Sequence, residues 1–204
     1  MAMDAFWLGL GVLVALQVLR SREQVQRVRL LGSHLARFRI ESLMQEVLEG
    51  YHRALDESDP ERQLPVWRHL ESIEQRLSEQ FAQFALAFAQ LPEPLTRLNR
   101  LPLGLPFITR WWPGVTLDAR KLMGVHAHGI ARAVAQRDVA PRERAYRITA
   151  ELMLMQHTCH WYCRSKAVAH ARLVTRHHTP YAQVLSQVAP DTRNAYTAVA
   201  GVAA

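Results

Sequence analysis

AFWLGLGVLVALQVL, residues 5–19, contains no charged side chain and is followed at once by Arg20, Arg22, Arg27 and Arg29. An apolar run that stops at a basic collar is the pattern of a helix leaving a bilayer. At helical rise the run spans about 22 Å, against a hydrocarbon layer of about 30 Å. Ala2 and Met3 extend it beyond Asp4, and the long stems of Arg20 and Arg22 can carry their charges to the headgroups, so mild thinning costs only fractions of a kcal/mol per Å. Phe6 and the leucines and valines from Leu8 to Leu19 contribute about −4 kcal/mol to insertion, partly offset by Gln17 and Asp4. A cleaved signal peptide fits less well, because no basic residue precedes the run and no Ala-x-Ala type site follows it. The soluble alternative is a buried core helix; length and charge break together favour the membrane. Six basic residues from Arg20 to Arg39 stand against Glu23 alone. They assign this flank to the cytoplasm and the short acidic N-terminus to the outside. The expectation is a single-pass protein of the bacterial inner membrane with its main domain cytoplasmic.

Outward from that run the periodicity is helical nearly everywhere, and the fold class expected is all-α. A single transmembrane helix continues into a long helical hairpin, followed by a smaller basic helical bundle. The division expected is an anchor over 1–20, a coiled-coil-like hairpin over 21–91, a Pro/Trp-rich loop over 92–116, and a basic helical part over 117–204 packed on the hairpin. Val25, Val28, Leu31, Leu35 and Phe38, then Met44, Val47, Leu48, Tyr51 and Leu55, recur at steps of three and four. They predict one helix from the anchor to about Leu55, about 75 Å long from Ala5. Ser58-Asp59-Pro60-Glu61 reads as a capping serine, a first-turn proline and a glutamate three residues on. The helix that follows carries Trp67, Leu70, Glu74, Leu77, Phe81, Phe84, Phe88 and Leu91, a heptad stripe with one polar interruption. Its partner is the preceding helix, folded back as an antiparallel hairpin. Three phenylalanines fill a packing seam more readily than they line a ligand cavity.

Five prolines and two glycines interrupt the pattern between Pro92 and Thr116, yet the stretch stays apolar. Phe107, Trp111 and Trp112 beside Arg110 are residue types found at headgroup depth, so with Arg20 and Arg22 they form a candidate membrane interface. The alternative is a loop tucked over the bundle as a lid. Beyond it, helices are expected from about Leu117 to Gln136, with Thr116 or Asp118 as cap, from Pro141 to about Val174, and from Thr179-Pro180 to Pro190. The stretch from Asp191 is expected to be a fraying turn or two.

Charge is unevenly spread. Residues 1–96 carry 10 Lys/Arg and 13 Asp/Glu, net −3, whereas residues 97–176 carry 14 and 4, net +10. A basic half can face anionic lipid, an acidic protein or nucleic acid, or its own acidic half. No helix-turn-helix or RNP-like arrangement supports nucleic acid as a specific partner. Paired carboxylates at Glu71 and Glu74, or at Asp56 and Glu57, read as solvated helix surface.

Chemistry, if present, concentrates in His157-Thr158-Cys159-His160-Trp161-Tyr162-Cys163. Imidazole and thiolate are preferred zinc ligands, and His157, His160 and Cys163 recur at steps of three, with His126, His128, His177 or His178 available to complete a site. Steps of three drift around a helix by about 60° each, which works against a common focus. Cys159 and Cys163 lie one helical turn apart, where a disulfide is disfavoured. Cys163 beside His160 lacks an oxyanion-binding turn, and no phosphate-binding glycine loop occurs. The function expected is a noncatalytic adaptor or accessory subunit of a larger membrane complex. Its partners are membrane lipid and other protein subunits or a second copy of itself, with no cofactor required. The alternative is a helical metal-binding protein or enzyme centred on His157, His160 and Cys163, with zinc as the ion.

Overall fold

The computed structural model describes residues 2–102, 106 and 108–201. Helix α1 (Ala2–Leu35) has two different halves. Its apolar part is long and hydrophobic enough to span a membrane and is buried nowhere, with Phe6, Trp7, Leu8, Leu13 and Leu16 all exposed. From Arg20 onward one face turns inward at helical steps, through Glu23, Gln24, Arg27, Leu31 and His34. That face is largely polar. The Arg27 guanidinium sits 5.5 Å from the Tyr162 ring centre and donates to the Tyr162 carbonyl at 3.3 Å, while Arg164 donates to Gln24 at 2.7 Å. Val25 and Val28, expected on the seam, point outward.

The expected unbroken helix to Leu55 is interrupted at residues 36–39, after which α2 runs over Ile40–Asp56. No glycine or proline marks the break. Packing causes it: a straight continuation would carry Ile40, Leu43, Val47, Tyr51 and Ala54 away from the helix that buries them. The Arg39 N–H exposed by the break donates to the Gln80 side chain, which satisfies a group that a helix start leaves open. Helix α3 (Pro60–Ala89) begins one residue later than the serine reading implied, because Asp59 caps it and accepts from the Glu61 N–H. Contacts descend along α3 as they ascend along the chain before it, from Phe38–Phe84 to Tyr51–Trp67, so the hairpin is antiparallel. The helices approach most closely at Gly50, where a Cβ would lie 2.3 Å from Leu70 Cδ2. The heptad stripe is buried from Trp67 to Phe88.

The segment expected as an irregular loop is organised at its base. After α4 (Glu93–Thr96), strand β1 (Arg97–Asn99) pairs antiparallel with β2 (Thr116–Asp118), with Leu98 opposite Leu117 and both buried. Between the strands lie α5 (Ile108–Trp111) and a short 3-10 turn, Pro113–Val115. Phe107 lies outside the described residues.

Helix α6 (Ala119–Ala135) starts with Asp118 as its cap and packs on α3. Helix α7 (Pro141–Cys163) is shorter than expected. The chain turns at Arg164 and restarts as α8 (Lys166–His177), with Ser165 Oγ accepting from the Val168 N–H. The ribbon's flank fills that corner: Trp161 donates to the Asn99 carbonyl at 2.8 Å, and the Ala167 N–H to the Pro102 carbonyl at 3.1 Å. Helix α9 (Tyr181–Gln187) follows, and the stretch expected to fray is a full helix, α10 (Pro190–Ala200), pinned by buried Thr192, Tyr196 and Ala200. One apolar core runs from Leu31 to Ala200 and joins the hairpin to the basic helices.

Candidate functional site

The three side chains proposed as metal ligands do not converge. His157 is fully buried on α7, in a ring stack with His170 of α8 at 5.0 Å and Tyr181 of α9 at 4.7 Å; His170 and Tyr181 lie 4.6 Å apart. Neither ring nitrogen of His157 has a hydrogen-bond partner. Burial, reinforced by His170 nearby, holds its pKa well below the ordinary histidine value. His160 is half-buried beside Arg172, and burial first and that guanidinium second lower its pKa too. Cys163 lies nearer Arg27; burial pushes its thiol up to about 11, although Arg27 and Arg164 pull the other way. Cys159 donates to the Met155 thioether and is pushed up by burial to about 12. Both thiols are therefore protonated at neutral pH, which is not the state of a nucleophile. Among the described residues no three His, Cys, Asp or Glu side chains are grouped to hold a metal ion.

Of the histidines considered as further ligands, His126 and His128 are committed elsewhere. His126 is buried and its Nε2 lies 2.8 Å from Thr158 Oγ1, whose hydroxyl donates to the Leu154 carbonyl, so Nε2 carries the proton. Burial lowers its pKa to about 3. His128 is on the surface and bonds the Gly124 carbonyl through Nδ1. His178 ends α8 in the left-handed conformation, φ 51°.

One charged grouping was read otherwise from the sequence, and a second was not read there at all. Glu74 is not surface: it is 1% exposed, accepts from the Tyr51 hydroxyl at 2.9 Å, and lies 3.3 Å from Arg144, itself 2% exposed. Arg144 also reaches Glu71 at 3.0 Å, as does Arg137 at 3.1 Å. Part of the basic half thus does face the acidic half. Burial raises the Glu74 pKa, opposed by Tyr51 and Arg144. The only signal in the sequence was a carboxylate standing in an apolar stripe. Glu151 is likewise buried, accepts from the Ala189 N–H at the start of α10, and lies over Gly129, where a Cβ would meet its Oε2 at 2.5 Å.

The described membrane-interface candidates lie on α1, on α5 and just after it. Arg22 is exposed and Arg20 half-buried directly below Leu19. Ile108 and Thr109 turn inward against α1, with Thr109 Oγ1 3.5 Å from Arg27. The next two described side chains, Trp111 and Trp112, are 80% and 68% exposed. They do not cover the core. Ile108 and Thr109 therefore lie beside α1 at the level of its basic collar.

No family model, no curated protein and no solved structure matches the chain.

Proposed function

We propose that the protein is a membrane-tethered, noncatalytic adaptor or accessory subunit. Its apolar helix crosses a bacterial inner membrane once, with the N-terminus outside and the helical domain held against the cytoplasmic leaflet. The observation that carries this reading is the change along α1, which is exposed on every side up to Leu19 and docked on the bundle from Arg20 onward. An uncovered apolar helix on a well-packed domain needs lipid or another apolar surface. The basic collar favours the cytoplasmic side, and the outward tryptophans suit headgroup depth. Protonated thiols and dispersed histidines favour binding over catalysis.

The test is fractionation of cells expressing the full chain. The protein is expected in the membrane fraction after alkaline carbonate washing, with a tag at the N-terminus reached by protease only from outside. Recovery in the carbonate-soluble fraction overturns the anchor. Affinity capture in mild detergent is expected to return a defined stoichiometric complex. Stoichiometric zinc in purified protein, lost in His160→Ala, would instead favour the metal-binding reading.

A further inference from the structure

Between α1 and the described residues Asn99, Leu101, Ile108 and Thr109 lies a small cleft, partly open to solvent, with about 30 Å³ of enclosed space. Its charged walls are Arg20, Arg27 and Arg164, against the single carboxylate of Glu23, so it is a net cationic hollow. Ser165 and Thr109 add hydroxyl groups, and Leu101 and Ile108 an apolar edge.

We propose that this cleft receives the phosphate of an anionic phospholipid headgroup, making it a lipid-specific site at the foot of the anchor. The inference rests on the membrane reading above. Position is the first argument. Arg20 immediately follows the apolar run, so the cleft opens at the depth where phosphates lie. The unmet donor is the second. Arg20 Nε is buried, and no hydrogen bond or ion pair ties the Arg20 guanidinium to another described residue, so its outer nitrogens keep their donors for an acceptor from outside the chain. Chemistry is the third. Guanidinium forks match phosphate oxygens in pairs, which ammonium groups do not. Arg27 is held by Glu23 at 2.7 Å and supplies field more than free donors, whereas Arg164 spends one nitrogen on Gln24. Leu16 and Leu13 lie one and two turns above Arg20 on the same helix face, where an acyl chain would run. A net cationic hollow disfavours a headgroup that carries its own cation, so phosphatidylglycerol is expected to bind and phosphatidylcholine to be rejected.

The experiment uses the full chain purified in mild non-ionic detergent. Retention of added phosphatidylglycerol, phosphatidylcholine or inorganic phosphate is read by native mass spectrometry. The expected result is one phosphatidylglycerol retained, phosphatidylcholine not, and no competition from millimolar phosphate. Affinity falls about tenfold or more in Arg20→Gln, and also in Arg164→Gln, whose exposed position leaves folding intact. Arg76→Gln, on the exposed face of α3 away from the cleft, is unchanged. Equal retention of both lipids, or equal loss in Arg76→Gln, overturns the proposal; competition by phosphate assigns the site to a free anion and overturns the lipid. Carbonate extraction in parallel separates the two readings. A carbonate-resistant protein without lipid selectivity refutes this site alone, whereas an extractable one refutes the anchor.

Discussion

The Tyr51 hydroxyl donates to Glu74 across the α2–α3 contact, on the side of the carboxylate away from Arg144, so one buried charge is held from two helices. Removing one member of a buried ion pair strands the other and typically costs about 3–5 kcal/mol, whereas replacing both by apolar groups is close to neutral. Arg144→Met and Glu74→Leu are each expected to lower stability by about that amount. Glu74→Leu combined with Arg144→Met should recover most of it. Unfolding in urea, with the four proteins in one double-mutant cycle, measures the coupling.

Two glycines of α6 separate helix propensity from close packing. Gly124 has nothing within 4 Å of a built Cβ, whereas at Gly129 the Cβ would meet Glu151 and the Thr192 hydroxyl at 2.5 and 2.7 Å. Gly124→Ala should stabilise the protein by about 0.5–1 kcal/mol. Gly129→Ala should destabilise it by about 1–3 kcal/mol, because a buried carboxylate must move off the α10 N-terminus. Thermal unfolding of the two variants is expected to shift in opposite directions.

His126 and His157 are neutral in the folded protein, their pKa values depressed by burial, that of His126 to about 3. The unfolded chain binds their protons below about pH 6.5, so stability falls as pH drops from about 6.5 toward the folded value, by up to about 1.4 kcal/mol per pH unit for each ring. Glu74 and Glu151, raised by burial, oppose this at the acidic end, since the folded state holds their protons more tightly. His157→Phe removes one histidine from the balance. Its stability should fall less than that of the parent between pH 7 and 5.5. At pH 7 it should be equal or higher, because two unpartnered buried nitrogens are gone. Urea midpoints at the two pH values decide; an identical pH slope in both proteins contradicts the assignment.

Trp111 and Trp112 contribute little to the fold and are expected to meet lipid. Alanine at both should leave unfolding stability within about 0.5 kcal/mol. Quenching of tryptophan fluorescence by phospholipids brominated near the headgroup should fall sharply in the same variant. Unchanged quenching would remove the pair from the interface.

Much of this architecture is legible from residue order because its signals are local. The Trp67–Phe88 stripe, the helix starts near Ser58-Asp59 and Thr116-Asp118 and the apolar run before Arg20 are each carried by neighbours within two turns. What escapes is decided at a distance. The breaks at residues 36–39 and at Arg164 contain no glycine or proline, and they exist because α2 must turn onto α3 and because Asn99 and Pro102 occupy the corner after Trp161. The ribbon pairs Leu98 with Leu117 across a stretch that looks featureless in one dimension. The candidate ligands stand apart for a related reason. His157 recurs with His160 and Cys163 along the chain, but its neighbours in space are His170 and Tyr181, brought by helices that begin after the motif ends.

Helix α1 runs without interruption from Ala2 to Leu35, and its lower half is clamped to the bundle through Arg27 and Gln24. Such a stalk has no joint. Any tilt or rotation of its upper half is handed on rigidly as a swing of the whole domain, so the protein behaves as a lever that presents one fixed flank, not as a ball on a string sampling every direction.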